Sequence, residues 1–115
     1  MNENTTAASR EEQIADTIFF LKDMVRFFNR QHAAAKRLIE AGQPFRAATP
    51  LGYAFDAERT ARDLHDQLTA LFDNGEMDID DDAHEAFCES ETLYRQATAT
   101  EKVRKAACEA QRAAR

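Results

Sequence analysis

The sequence predicts an all-α fold, an antiparallel three-helix bundle with long helices and room for a short fourth helix at the C-terminus. Composition is the first indication, because only 3 of the 115 residues are Gly and 2 are Pro, as is typical of long helices joined by few loops. Apolar residues also recur every three or four positions, the period of an amphipathic helix. Turn-forming residues interrupt this period around Gly42 and Asn74, which leaves three long segments.

The first predicted helix covers residues 9–41 and follows a flexible tail of residues 1–8. Ser9 and Glu12 have the spacing of a capping box, in which each side chain satisfies a free N–H group of the first helical turn. Gly42 tolerates the left-handed backbone of a helix end, so the helix is expected to stop there.

Two apolar stripes lie side by side on this first helix and cover nearly half of its circumference at about 100° per residue. So wide an arc predicts a central helix that touches at least two others. The spacing assigns Phe20, Phe27 and Phe28 to the core, whereas Phe19 points to the polar face. The stripes comprise Ile14, Ile18, Leu21, Val25, Phe28, His32, Ala35 and Ile39, and Phe20, Met24, Phe27, Gln31, Ala34 and Leu38.

The second predicted helix covers residues 50–73, with Thr49 as N-cap and Pro50 as its first residue. It ends at the turn sequence Asp73-Asn74-Gly75. Its apolar face comprises Tyr53, Ala54, Ala57, Ala61, Leu64, Leu68, Leu71 and Phe72.

The third predicted helix covers residues 81–97 and starts in an aspartate-rich sequence whose carboxylates suit a helix N-terminus. Its first half directs Phe87, Leu93 and Tyr94 to the core. Beyond Thr98 the apolar positions turn to nearly the opposite side of a continuous helix. Two alternatives follow: the chain breaks at Thr98 and a short helix covers 99–114, or the helix continues and its tail packs on a partner.

Charge is unevenly distributed in this chain of net charge −6. Residues 73–91 hold nine acidic and no basic residues, whereas residues 95–115 hold six basic and two acidic ones. An acidic protein is a poor general binder of nucleic acid, since affinity for phosphate comes from clustered Lys and Arg. No apolar run reaches the ~20 residues of a membrane span, and the two cysteines are too far apart on helical sequence to bridge. We therefore expect a cytoplasmic protein with neither nucleic acid nor membrane as direct partner.

Cofactor, metal and catalytic chemistry find little support. Asp78, Asp80, Asp82 and Glu89 match an EF-hand at positions 1, 3, 5 and 12, but position 6 is Ala83 where the calcium loop needs Gly. The three histidines form no Glu-x-x-His pair of the di-iron type, and no nucleophile motif is present. The sequence predicts no cofactor, no metal and no enzymatic activity.

Exposed apolar side chains are the stronger functional signal, and they predict a protein partner. Phe45 and Phe55 form either a lid over one end of the bundle, together with Leu51, or a contact patch. A homodimer through the C-terminal helix would cover its displaced apolar stripe. The predicted partner-binding residues are Phe19, Arg26, Phe45, Phe55, Asp78, Asp80, Asp81, Asp82, Val103, Ala106 and Ala110.

Two functions remain from this pattern. The first is a non-enzymatic interaction module that binds proteins through helix faces. One version of this function is a homodimer. The second is a phage- or plasmid-type inhibitor of a nucleic-acid-processing or defence complex, such as an anti-CRISPR protein. Such an inhibitor would use the aspartates between 78 and 82 to occupy a basic groove.

Overall fold

A computed structural model describes residues 5–73 and 80–114 of the chain. Four helices account for most of these residues: α1 (Thr5–Glu40), α2 (Ala48–Asp73), α3 (Asp81–Glu91) and α4 (Leu93–Ala113). The described residues contain no β-strand, so the predicted all-α class is confirmed. Their arrangement is elongated, with extents of 68 × 24 × 16 Å.

α1 begins at Thr5, so the predicted start at Ser9 is wrong by four residues. Ala7 and Ala8 precede Ser9, and alanine has the highest intrinsic helix propensity. The helix therefore extends past the capping-box position instead of beginning there. The predicted tail of residues 1–8 is shortened accordingly, and residues 1–4 lie outside the described part.

The end of α1 agrees with prediction. Gly42 has φ +79°, and its N–H group donates to Ile39 O at 3.0 Å while the Gln43 N–H group donates to Leu38 O at 2.8 Å. This pair of bonds is a Schellman motif, which satisfies the last carbonyl groups of a helix. Glycine adopts the required left-handed backbone without steric cost.

α2 begins at Ala48, two residues before the predicted first position. Pro50 therefore lies within the first turn, not at its first residue. Proline is tolerated there because the N–H groups of the first turn have no partner inside the helix. α2 is described up to Asp73, the residue at which the predicted helix also ends.

The aspartate-rich start of α3 is confirmed, and Asp80 is its N-cap. The Asp80 carboxylate accepts a hydrogen bond from the Ala83 N–H group at 2.8 Å, and its extended backbone (φ −81°, ψ 176°) is typical of a cap.

Of the two alternatives at Thr98, the structure has the continuous helix, because α4 runs through this position without interruption. The interruption instead lies at Thr92, whose backbone remains helical in φ and ψ (−92°, −12°), so α3 and α4 form one bent segment. Glu101, which has capping-box spacing from Thr98, accepts a hydrogen bond from Arg104 Nε at 2.6 Å. A capping box cannot form when its acidic residue is engaged further along the same helix.

The core lies mainly between α1 and α2, where large side chains are fully buried. α2 adds alanines at helical spacing, which allow α1 to approach closely. The buried residues of these two helices include Ile14, Leu21, Val25, Phe28, Ala35, Leu51, Ala54, Ala57, Ala61, Leu68 and Phe72.

The third segment, α3 with α4, runs beside α1 in the same order along the chain. Lys22 lies 3.9 Å from Asp82 and 3.8 Å from Glu85. Further along the same direction, His32 lies 2.6 Å from the Thr100 hydroxyl, and the Gln111 side chain donates to the carbonyl of Gly42 at 2.7 Å.

None of the helices within residues 5–73 and 80–114 combines the length and apolarity that a membrane span requires.

Candidate functional site

The outer face of α4 carries an apolar strip that the rest of the described chain leaves uncovered. Val103 is 56% exposed, and Ala99, Ala106 and Ala110 are exposed beside it. These four residues share one face because they are spaced by four, three and four positions. We call them the Val103 surface. Three of the predicted partner-binding residues, Val103, Ala106 and Ala110, are thus exposed together on one face.

A groove runs along one edge of the Val103 surface. It has a volume of about 280 Å³ and lies between the last turns of α1 and the middle of α4, lined by Lys36, Ile39, Glu40, Ala99, Thr100 and Val103. Ile39 is only partly buried, so its side chain extends the apolar surface onto α1. A side chain from another protein would find both an apolar floor and a charged rim here.

α4 faces the bundle with small and polar groups. Its buried residues are Leu93, Ala97, Thr100 and Cys108, and Leu93 is the one large apolar side chain among them. Arg104 pairs with Glu101 on the same helix and also donates to Cys108 Sγ at 3.6 Å. Such a face buries little apolar area. Because burial stabilises a fold by about 25 cal/mol per Å² of apolar area, this face contributes little hydrophobic stabilisation.

His32 forms the most specific polar contact between α1 and α4. Its Nε2 atom lies 2.6 Å from the Thr100 hydroxyl, and its ring stacks on Phe28 at 5.3 Å. Burial lowers the pKa of His32, and the positive charge of Lys36 lowers it further. His32 lies on an apolar stripe of α1, where a buried, hydrogen-bonded histidine is the expected structural role, and its contact with Thr100 agrees with that role.

A pair of exposed aromatic rings lies on the first half of α1. Phe19 is 62% exposed and Phe20 is 52% exposed, and their rings meet edge to face at 5.6 Å. The predicted exposure of Phe19 is confirmed, whereas the predicted burial of Phe20 is wrong. Phe20 lies at the rim of its apolar stripe, about 90° from the centre of the buried face at 100° per residue, and its neighbours do not reach that far.

The other phenylalanines of this region are covered to different degrees. Phe28 is fully buried, as predicted. Phe27 packs partly against the core and lies 5.9 Å below the Arg30 guanidinium. Phe19 and Phe20 are therefore the two rings of this stretch with most of their surface in solvent.

The acidic segment is partly neutralised within the molecule. Asp80 caps α3, and Lys22 lies near both Asp82 and Glu85. Asp81 is exposed, and Asp78 lies outside the described residues. Of the four predicted aspartates, Asp80 thus has a structural role and Asp82 has an internal partner.

Glu89 shows how crowded the carboxylates of α3 are. Burial raises the pKa of Glu89, and hydrogen bonding and charge repulsion from Glu85 raise it further, against the opposing charges of Lys22 and Arg26. Arg26, a predicted partner-binding residue, is exposed and acts on the acidic helix of its own chain.

At the turn between α1 and α2, the structure favours the lid over the contact patch. Leu51 is fully buried, and Phe55 packs partly against the core, so the prediction that Phe55 projects to the polar side of its helix is wrong. Phe45 is 39% exposed, and the Arg112 guanidinium lies 5.2 Å above its ring. This end of the molecule is closed by α4.

A histidine–serine pair joins α2 to α3. His65 Nδ1 lies 2.9 Å from Ser90 Oγ, and Ser90 also donates to the Phe87 carbonyl at 3.1 Å. The Ser90 hydroxyl thus links the His65 ring to the backbone of α3.

The two cysteines are free thiols, Cys88 exposed and Cys108 buried. Basic neighbours in the sequence (Arg104, Lys105, Arg112) favour Cys108 as the more reactive thiol, but its buried position contradicts that interpretation. His84 Nε2 lies 3.6 Å from Cys88 Sγ, a contact that the i,i+4 spacing indicates but that was missed. Within residues 5–73 and 80–114, no group of three or more His, Cys, Asp or Glu residues is arranged to hold a metal ion.

Sequence reasoning also missed the exposure of Tyr94, which was assigned to the core. Tyr94 is 53% exposed, and the Arg62 guanidinium lies 5.3 Å above its ring. Tyr94 lies two residues after the bend at Thr92, and the contact of its ring is with Arg62 of α2. Spacing that assumes one straight helix cannot show this.

Comparisons of the chain with protein-family models, curated protein sequences and solved structures found no match.

Proposed function

We propose that this protein is a non-enzymatic interaction module that binds a protein through the Val103 surface of α4. The main support for this proposal is the exposure of Val103 on a helix face that also lines an apolar groove. Large apolar side chains that gather on one polar-rimmed face are typical of protein-binding surfaces. Alanines at Ala99, Ala106 and Ala110 would let a partner helix approach closely.

The arrangement behind this proposal is an antiparallel three-helix bundle in which α3 and α4 together are the third member. The order of contacts from Lys22 to Gly42 along α1 supports it. We place the protein in the cytoplasm because both cysteines are free, as is usual in a reducing compartment.

A photo-crosslinking experiment in cells tests the proposed surface. A benzoylphenylalanine at position 103 should give a discrete cross-linked product, and the same residue at exposed position 70 on α2 should not. Adding Ala106→Glu to the position-103 variant should remove the product, because a buried carboxylate opposes the contact. A product that persists with Ala106→Glu, or that forms equally from position 70, would contradict the proposal.

The alternative function is an acidic inhibitor of a nucleic-acid-processing or defence complex. The observation in its favour is the density of exposed carboxylates on α3, among them Asp81, Glu85 and Glu91. Neutralisation by Lys22 and the capping role of Asp80 make it the weaker candidate.

Phage infection of a CRISPR-immune bacterial host measures this alternative. If it holds, expression of the chain restores plaque formation, and Asp81→Lys with Glu91→Lys abolishes the effect. Both side chains are exposed and neither caps the helix, so the double variant should remain folded. Restoration that survives both charge reversals would show that the acidic face is not the inhibitory surface.

A further inference from the structure

The Val103 surface and the exposed Phe19–Phe20 pair are bordered by charges of opposite sign. Glu12, Asp16 and Asp23 are exposed on the same part of α1 as Phe19 and Phe20. Of the basic residues on this part of α1, Lys22 is directed to the carboxylates of α3, and the exposed Arg26, two turns after Phe19, is outnumbered by these three carboxylates. The aromatic pair is therefore an apolar surface with a negative border.

The Val103 surface has the opposite border. Arg95 and Lys102 are exposed beside it on α4, and Lys36 and Glu40 both line its groove. Glu101 is occupied by Arg104, which leaves Glu40 and the exposed Glu109 as the carboxylates nearby. Three basic side chains against two carboxylates give the strip on α4 a net positive border.

We propose that the Val103 surface of one copy of this chain binds the Phe19–Phe20 pair of a second copy, in a head-to-tail contact. The inference rests on the proposed function and names the partner of the same surface. Apolar groups and charges are complementary in this pairing, whereas two Val103 surfaces facing each other would bring lysines together. Complementary potentials favour the correct partner and disfavour like-charged ones.

Shape supports the same pairing. Exposed alanines form a shallow surface on which aromatic rings can lie, and the groove beside Ile39 and Val103 can accept a ring edge. Aromatic side chains are the commonest anchors of protein interfaces. Val103 alone is too small to anchor a contact between two identical strips.

The two surfaces cannot meet within one copy. Phe20 and Lys36 lie on the same helix 16 residues apart, about 24 Å at 1.5 Å per residue, and Lys36 lines the groove of the Val103 surface. A contact of this kind joins two different patches, so each added copy leaves one of each patch free. Such heterologous contacts build open chains unless they close into a ring.

Sedimentation velocity of the purified protein, from about 10 μM to about 1 mM (the range expected of a small, transient interface), tests the inference. The average mass should rise with concentration beyond that of a dimer. Raising NaCl from 50 mM to 500 mM should weaken association severalfold, because salt screens exposed charges. Wild-type protein that stays monomeric throughout would overturn the inference, while the crosslinking experiment still decides the proposed function.

Complementation distinguishes this contact from a symmetric one. Variant A carries Val103→Glu and Ala106→Glu, variant B carries Phe19→Ala and Phe20→Ala, and Ala70→Glu on α2 is the matched control. All these positions are exposed, and circular dichroism checks that each variant is folded. We expect A and B to be monomeric alone, a mixture of A and B to form a 1:1 complex, and Ala70→Glu to associate like wild type.

Each contrary result is specific. If variant B associates as strongly as wild type, the Val103 surface pairs with something other than the aromatic pair, and the inference is wrong. If A and B fail to combine while wild type associates, the contact is not head-to-tail between these surfaces. A crosslink from position 103 to a protein other than this chain, with wild type monomeric, would support the proposed function alone.

Discussion

The α1–α2 hairpin and the α3–α4 segment have similar helix content but are held by different forces. In the hairpin, Leu21, Phe28, Leu51 and Leu68 are fully buried. In the α3–α4 segment, Leu93 is the one fully buried large side chain, and much of the remaining attachment is polar. The difference teaches that the hairpin supplies most of the hydrophobic stabilisation, whereas α4 keeps an apolar face outside the core.

The largest expected effect lies in the hairpin. Phe28→Ala should destabilise the protein by about 3–5 kcal/mol, because a buried aromatic side chain is lost and a cavity remains. Phe20→Ala on the same helix is the control, and it should change stability by no more than about 0.5 kcal/mol because its ring is largely exposed. Urea denaturation followed by circular dichroism measures both, and similar losses would mean that the bundle covers α1 completely.

The next effect concerns the attachment of α4. Thr100→Val should cost about 1–2 kcal/mol, because it removes the hydroxyl that bonds His32 and leaves a half-buried nitrogen without a protein partner. A double-mutant cycle with His32→Leu isolates the contact, with an expected coupling of about 1 kcal/mol. A coupling of zero would show that packing alone holds α4 against α1.

The start of α3 should respond more weakly. Asp80→Ala removes the N-cap bond to the Ala83 N–H group and should cost about 1 kcal/mol. Asp80→Asn should retain most of the stability, since asparagine caps equally well, and Asp81→Ala serves as an exposed control. If Asp80→Ala and Asp81→Ala lower the melting temperature equally, the effect comes from the lost charge and not from the lost cap.

The smallest effect is a pH dependence that His32 introduces between α1 and α4. Burial, and then Lys36, lower the pKa of His32 in the folded state, so the unfolded chain binds more protons below its ordinary pKa of about 6.5. The contribution is fully present above that pH and is lost as pH falls through the folded pKa. Urea midpoints from pH 7.5 to 5.5 should fall more steeply in wild type than in His32→Gln.

Glu89 acts in the opposite direction, which makes the comparison with His32→Gln necessary. Burial and the neighbouring Glu85 raise the pKa of Glu89, so its stabilising contribution is present at low pH and is lost as pH rises through the folded pKa. Both proteins contain Glu89, so subtracting the urea midpoints of His32→Gln from those of wild type at each pH cancels the contribution of Glu89. Parallel curves for the two proteins would contradict the assigned role of His32.

Sequence reasoning predicted the helices better than it predicted their boundaries. Gly42 and Asp80 were located correctly because each satisfies backbone groups locally, within a few residues. The alternatives at Thr98 stayed open because its capping-box spacing with Glu101 is also compatible with a continuous helix. In the structure, Thr100 faces His32 on α1, and Glu101 bonds Arg104 on its own helix.

The candidate surfaces follow the same logic. The exposure of Phe19 and of Val103 could be predicted because each lies far from the apolar face of its own helix segment. Phe20 and Phe55 could not, since both lie at the rim of a stripe, where coverage depends on how closely a neighbouring helix approaches. The charges that border the two apolar surfaces could also not be predicted from the sequence alone. Carboxylates on α3 draw the Lys22 side chain away from the Phe19–Phe20 pair, and this contact between helices depends on the fold.

Amide hydrogen exchange at two protein concentrations tests most directly the claim that the hairpin holds the fold while α4 offers a binding face. We predict the slowest exchange in peptides covering residues 21–28 and 51–68 at both concentrations. Residues 99–113 should exchange faster in dilute protein and should slow at high concentration, together with residues 16–20. Uniform protection of all helices, unchanged by concentration, would contradict the account.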